Sequence, residues 1–223
     1  MRILSGIKVI KIKKMKLIGK GYCYNVYELN NSRVLKLEKG FFQKVCDIYQ
    51  FEGKKVFDWL RASFKLLTGR KKILASYSYM RSNVDLALLG SPKFLEGINY
   101  EQDKVELLEA IIIHSNFIEK KGLIDLYIQN IIQCWKNGFA DRVYNFTINN
   151  GIDYSGRLIL LDFNEVTFLK EEALKRIKSK RWLRASSFKH VDSELQKYYQ
   201  EQMDLLITPE SLEKNWVQGE LRF

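Results

Sequence analysis

Residues 122–137, GLIDLYIQNIIQCWKN, constrain the chain more than any other segment. Leu123, Ile124, Leu126, Tyr127, Ile128, Ile131, Ile132, Cys134 and Trp135 cover nearly the whole circumference of a helix drawn through them. A helix with no polar face has to be enclosed by other elements. This segment therefore predicts a buried central helix in a helical layer, ended by Gly138. With 223 residues, 46% of them hydrophobic, the chain is long and apolar enough for one compact or two-lobed unit.

The segments ahead of it read differently. Residues 8–18 (KVIKIKKMKLI) alternate basic and apolar and predict a strand with a bulge. After Gly19-Lys20-Gly21, residues 25–29 and 33–37 predict two more strands joined by a tight Asn30-Asn31-Ser32 turn. Residues 41–67 have helical spacing, with Val45, Tyr49, Val56 and Leu67 in one stripe and Glu52 inside it. Residues 71–89 fit a helix or strands equally. Gly90-Ser91-Pro92 is a break, 93–100 looks extended, and 105–117 returns to helical spacing. Beyond the central helix, 143–148 and 157–161 predict two short strands with Asn149-Asn150-Gly151 as the turn between them. From Lys170 the pattern is helical, broken near Thr208-Pro209. This order predicts an α+β fold of two lobes rather than a parallel α/β sheet.

Several functions are excluded early. Cys23, Cys46 and Cys134 form no CxxC pair, which argues against a disulfide framework or a thiolate zinc site and for a reducing, cytoplasmic setting. His114 and His190 are the only imidazoles. The longest apolar stretch, 107–118, is interrupted by Glu109, His114 and Asn116 and is too short for a membrane span. The basic N-terminus lacks the apolar core of a signal peptide.

Three groups of residues can carry chemistry. Gly19-Lys20-Gly21 lies between two predicted strands, where missing Cβ atoms let backbone approach a polyphosphate. No helix follows it and no Lys-Ser/Thr pair is present, so it is neither a dinucleotide fingerprint nor a P-loop. Lys36 is the only basic residue on its face of the third strand, and it can neutralise phosphate oxygens there. Glu52, an acid in an apolar stripe, is costly unless paired, and Lys36 is its natural partner. Asp141, Asn145 and Asp162 form the third group. A hairpin can bring Asn145 and Asp162 together as hard oxygen donors suited to Mg²⁺.

In this order and spacing, residues 15–168 resemble the protein-kinase-like superfamily. Gly19-x-Gly21-x-x-Tyr24-x-Val26 is similar to the glycine-rich loop G-x-G-x-x-G-x-V, and Arg33-Val34-Leu35-Lys36 to the V-A-I-K strand. Helix 122–137 and the following Gly138-Phe139-Ala140-Asp141 resemble the central helix entering the catalytic loop. Leu160-Leu161-Asp162-Phe163-Asn164 resembles the metal-binding D-F-G. The resemblance implies a reduced bilobal fold: a small antiparallel-sheet lobe over about 1–92, a hinge over about 93–102 and a mainly helical lobe over about 103–223. It implies ATP and Mg²⁺ as cofactors. Gly19, Lys20, Gly21 and Val26 would cover the nucleotide, and Lys36, held by Glu52, would contact its phosphates. Asn145 and Asp162 would hold the metal, and Asp141 would orient or deprotonate the acceptor hydroxyl. Tyr24 replaces the third glycine, and Phe-Ala-Asp replaces H-R-D. The usual five-residue step back from Asn145 lands on Ala140, D-F-G reads D-F-N, and no A-P-E follows. The pattern is nearer to small bacterial kinase-like proteins and antibiotic phosphotransferases than to signalling kinases.

The net charge of +11 is concentrated in two places. Residues 1–20 hold seven basic groups and no acid; residues 170–190 hold eight against Glu171 and Glu172, with Trp182 and Phe188 interleaved. The second cluster is the candidate docking surface for an acidic protein substrate or partner. The sequence thus points to a phosphotransferase acting on a Ser, Thr or Tyr hydroxyl of a protein, with a small-molecule acceptor or AMP transfer as variants. The alternatives are an inactive nucleotide-binding regulatory module of the same fold and a basic nucleic-acid-binding domain.

Overall fold

The computed structural model describes residues 15–21, 23–52, 56–184 and 192–217. The chain is α+β and divides into two compact units. One comprises Met1–Tyr79 with Ser91–Lys104, the other Met80–Gly90 with Val105–Phe223.

The first unit is built on a five-stranded antiparallel sheet. Its strands are β1 (Leu17–Lys20), β2 (Tyr24–Glu28), β3 (Arg33–Glu38), β4 (Lys93–Phe94) and β5 (Tyr100–Asp103), in the order β1-β2-β3-β5-β4. The expected meander of β2 and β3 is present, and Asn30 shapes its turn by accepting hydrogen bonds from the Ser32 amide at 2.9 Å and hydroxyl at 3.1 Å. The strand expected over 8–18 falls mostly outside the described residues; β1 starts at Leu17, with a bulge between Leu17 and Gly19. Residues 93–102, expected as a hinge, supply β4 and most of β5, because Ile98, Tyr100 and Gln102 are buried in this unit.

Two helices follow β3: α1 (Phe41–Glu52) and α2 (Val56–Asn83). Residues 71–83, ambiguous by pattern, continue α2 as helix. Tyr77 explains this: it lies at the helical position where its hydroxyl meets that of Tyr24 at 2.8 Å and its ring packs edge-on to Tyr100. Asp85 then caps a short 3₁₀ turn over Leu86–Leu89, which Gly90 ends at φ 68°.

The second unit surrounds the predicted central helix, here α4 (Phe117–Lys136). It begins earlier than the apolar run because Asn116 and Glu119 form a reciprocal capping box. Ile124, Tyr127, Ile128, Ile131 and Trp135 are buried, packed with Leu195, Tyr199 and Met203 of α6 (Ser193–Leu206) and Leu212 of α7 (Pro209–Asn215). The remaining helices are α3 (Leu108–His114) and α5 (Lys170–Lys178). A three-stranded sheet has the order β6 (Val105–Leu107), β8 (Asn150–Asp153), β9 (Leu158–Leu160). A separate two-residue ladder joins β7 (Ala140–Asp141) to β10 (Val166–Thr167).

The strand expected over 143–148 is absent, and the hairpin lies further on. Its turn is 154–157, not Asn149-Asn150-Gly151. Asp153 builds that turn by accepting from the Ser155 amide and hydroxyl and from the amide and guanidinium of Arg157, at 2.6–3.0 Å. Gly151 is a strand residue needed for close approach rather than for turning. A Cβ there would stand 2.4 Å from Val105 Cγ2 and 2.7 Å from the Glu106 carbonyl oxygen. Replacing Gly151 with alanine is therefore expected to destabilise the protein by about 1–3 kcal/mol, the range for overpacking. Urea denaturation followed by tryptophan fluorescence measures this loss.

Candidate active site

In the first unit, Val26, Lys36 and Tyr100 form one row across β2, β3 and β5. Residues opposite one another share a sheet face, so Lys36 stands on the face where Tyr24, Tyr77 and Tyr100 pack together. Its ammonium lies 5.3 Å from the Tyr100 ring centre, a cation–π distance. The same cluster accounts for Tyr24 in place of the third loop glycine, since its ring is buried in the core of this unit.

Gly19 pairs with Val26, and the Gly21 amide donates to the Tyr24 carbonyl at 2.9 Å. Neither glycine is needed by the fold itself. A Cβ on Gly19 would meet Val26 at an ordinary 3.6 Å, and one on Gly21 would approach only the Tyr24 carbonyl oxygen, at 4.0 Å. Lys20 is exposed beside them. Glu52 is the last residue of α1, but its side chain lies outside the described residues, and so does its expected pairing with Lys36.

A different set of ion pairs ties α1 to the sheet, and the sequence reading missed it. Glu38, at the end of β3, accepts from Lys44 at 2.6 Å and Arg70 at 3.2 Å, and Lys39 pairs with Asp47. Both lysines are buried despite their charge. The spacing Glu38-x₅-Lys44 across a predicted strand–helix junction was the available signal.

In the second unit, Gly138 at φ 73° turns the end of α4 into β7. The ladder sets Asp141 opposite Val166 and Ala140 opposite Thr167, which fixes the loop after Asp141 beside the segment after Asp162. The Arg142 amide donates to the Glu165 carbonyl oxygen at 2.7 Å, and the Leu161 amide to the Asn149 carbonyl oxygen at 2.8 Å. Asp162 accepts from the Asn164 amide at 3.0 Å and so caps its own 3₁₀ turn, over Phe163–Glu165. Asn145 is half-buried, and its carbonyl oxygen receives the Asn150 side-chain amide at 3.1 Å.

Asp141 is only 6% exposed. Its Oδ1 accepts from the Val143 amide at 2.8 Å, and its Oδ2 is buried without a hydrogen-bond partner. Burial pushes its carboxyl up to about 6, against the opposing pull of nearby amides, and Asp162 pushes it further. Tyr144 next to it adopts φ 55°, an unfavourable conformation for a bulky residue, with its ring fully buried edge-on to Trp182. Burial also raises the Tyr144 hydroxyl and the Cys134 thiol, with Asp141 adding to both.

Glu165 is the acid that pattern reading overlooked. It takes the Asn149 side-chain amide, and burial, then the charge of Asp162, lifts its carboxyl to about 7. Its position three residues after Asp162 was visible, but its turn toward Asn149 was not. Arg142 is directed away, to Glu172, at 2.9 Å. Asp162, Glu165 and Asn149 thus share one neighbourhood, which Asn145 joins by accepting the Asn149 amide at its carbonyl oxygen. Among the described residues, no group of three or more His, Cys, Asp or Glu side chains is arranged to hold a metal ion on its own.

The basic segment differs from expectation. Trp182 is buried, and Lys170, Arg176 and Lys180 are ion-paired with Glu213, Glu172 and Asp204. Phe188 and Lys189 lie outside the described residues, as do Arg2, Lys8, Lys11, Lys13 and Lys14. Among the described residues, no helix is long and apolar enough to cross a membrane.

Comparison with known proteins adds little. No protein-family model matches the sequence, and no curated protein matches it. Among solved structures, the chain is similar to Rv3197 of Mycobacterium tuberculosis in its complex with erythromycin. The two are 13% identical with a TM-score of 0.45, over 93% of this chain and 66% of that one. Such a likeness marks a distant structural relative and carries no argument about activity.

The raised carboxyls have a consequence for stability. Asp141 moves from 3.8 to about 6 and Glu165 from 4.5 to about 7, so the folded state holds more protons than the unfolded state between pH 4 and 7. Stability must then fall as pH rises through that window. Without divalent cations, Asp141 is expected to cost about 1 kcal/mol between pH 5 and pH 8, with Glu165 adding in the same direction. Urea titrations at the two pH values measure it, and Asp141→Asn should flatten the dependence.

Proposed function

We propose that the chain is an ATP- and Mg²⁺-dependent phosphotransferase of reduced, bilobal kinase-like build, acting on a hydroxyl group of a protein. The observation that carries this reading is the oxygen-donor set held by the β7–β10 ladder in a chain of net charge +11. Burial, and after it the charge of Asp162, raises the carboxyls of both Asp141 and Glu165, and a divalent cation there would favour their ionised forms. The donors fit Mg²⁺, which takes one or two carboxylates and completes its shell with waters and phosphate oxygens. Absence of a three-acid cluster is compatible with that mode of binding. The glycines fit a nucleotide, because their missing Cβ atoms are not required by the protein's own packing.

Under this reading Asp162 and Asn145 hold the metal, and Lys36 supplies a fixed positive charge for phosphate oxygens. Gly19 and Gly21 would let phosphates approach the backbone and Lys20 would add one exposed cation, with Val26 paired to Gly19 in the sheet. When bound, Mg²⁺ neutralises charge developing on the transferred group. The acceptor oxygen bonds to the γ-phosphorus as the bond to ADP breaks, and the acceptor proton leaves to solvent or a carboxylate. An acidic stretch of the acceptor protein would meet the remaining positive surface.

A second reading is favoured by one observation. Asp141 is buried, and the residue five before Asn145 is Ala140, so no exposed acid stands in the expected catalytic position. A nucleotide-binding regulatory module would need none.

Calorimetry with Mg-ATP, followed by turnover with candidate acceptors, tests both. Lys36→Ala and Asp162→Ala are expected to weaken binding or transfer at least about a hundredfold, in the range of lost charge stabilisation. Gly21→Ala should leave stability unchanged and weaken nucleotide binding. Binding without transfer selects the regulatory module, and a wild-type protein that binds no nucleotide refutes both readings.

A further inference from the structure

We infer that Asp141 is a positioning residue that shapes the 142–145 loop and thereby presents Asn145, rather than the base that meets the acceptor. The inference rests on the phosphotransferase reading for what Asn145 does, but the loop-shaping part stands on geometry alone.

The side chain is inaccessible to an acceptor: Asp141 is 6% exposed, sits in a two-stranded ladder and has one oxygen committed to the Val143 amide at 2.8 Å. That bond closes a turn around the start of the loop, and the amides of Tyr144 and Asn145 also favour its charge. The backbone pays for the turn with Tyr144 at φ 55°, its ring packed against Trp182. Tyr144 is buried there and the adjacent Asn145 is half-buried. The acceptor at position 141, together with the packing of Tyr144 on Trp182, holds the loop in this conformation and so helps to place Asn145. The other oxygen of Asp141 makes no hydrogen bond among the described residues. A base would need a path to solvent or substrate, whereas a turn-former needs only the oxygen that is bonded.

Asparagine keeps that acceptor and removes the charge, so it separates the two roles. The test uses the full chain carrying Asp141→Asn, Asp141→Ala or Asn145→Ala. The readouts are amide hydrogen exchange at Val143 and Asn145, Mn²⁺ affinity in the presence of a non-hydrolysable ATP analogue, and turnover. Asp141→Asn is expected to keep wild-type protection, Mn²⁺ affinity within about threefold and turnover within about tenfold. Asp141→Ala is expected to lose amide protection and to weaken Mn²⁺ binding about tenfold or more, matching Asn145→Ala, the order found for groups that orient metal ligands. A merely structural role would lower the unfolding temperature and leave Mn²⁺ affinity untouched.

The inference is overturned if Asp141→Asn loses turnover a hundredfold or more with Mn²⁺ affinity intact, the mark of a lost general base. It is also overturned if Asp141→Ala leaves the exchange at Val143 unchanged. Should the alanine variant fail to fold, Asp141→Asn alone decides by the same criteria. A wild-type protein that binds no Mn²⁺ with nucleotide refutes the phosphotransferase reading and the role of Asn145. The exchange data then still decide whether Asp141 shapes the loop.

Discussion

Helix α4 buries a broad face and leaves a stripe of Ile118, Gly122, Gln129, Gln133 and Lys136 exposed, and the second unit is arranged around the buried face. Ile124, Tyr127, Ile128, Ile131 and Trp135 are each at most 4% exposed, so α6 and α7 must close over them. Burial at this level is worth about 1.5–3 kcal/mol for each large apolar side chain relative to exposure. It also anchors the chain's exit from the helix. The Phe139 amide returns to the Cys134 carbonyl oxygen and the Gly138 amide to that of Trp135, so β7 starts from a fixed point. Everything proposed for Asp141, Asn145 and Asp162 depends on that start.

The electrostatics of the chain follow a division of labour. Among the described residues, surface basic groups are partly neutralised by pairs such as Lys170–Glu213 and Lys180–Asp204, and exposed pairs of this kind contribute little to stability. The acids that matter are few and costly. Asp141 and Glu165 are held where burial opposes their charge, which is typical of sites that await a cation or a proton. In the first unit the polarity is reversed: the buried charges Lys39 and Lys44 are matched by Asp47 and Glu38, and their work is to fasten α1 to β3.

Much of the fold was legible because periodicity reports burial directly. The buried face of α4, the β2–β3 hairpin and the break at Thr208-Pro209 are examples, although α4 also keeps an exposed stripe from Ile118 to Lys136 that its sequence did not announce. Where two physical uses share one residue type, the reading slipped. Asn149-Asn150-Gly151 looks like a turn, but Gly151 is there because Val105 and the Glu106 backbone crowd it. Residues 71–83 have no clear period because α2 packs through aromatic contacts such as Tyr77 rather than through a simple stripe.

The candidate site was legible in its residue types but not in their exposure. Spacing placed Asp141, Asn145 and Asp162 in one neighbourhood, but it could not show that Asp141 points into the core or that Glu165 joins them. The central proposal is that Asp162 and Asn145 hold a metal ion that accompanies a bound nucleotide. A crystal structure of the protein soaked with Mg²⁺ and a non-hydrolysable ATP analogue tests it most directly. The account predicts a magnesium ion ligated by Asp162, Asn145 and phosphate oxygens. A nucleotide held elsewhere, or one whose metal touches neither Asp162 nor Asn145, contradicts it.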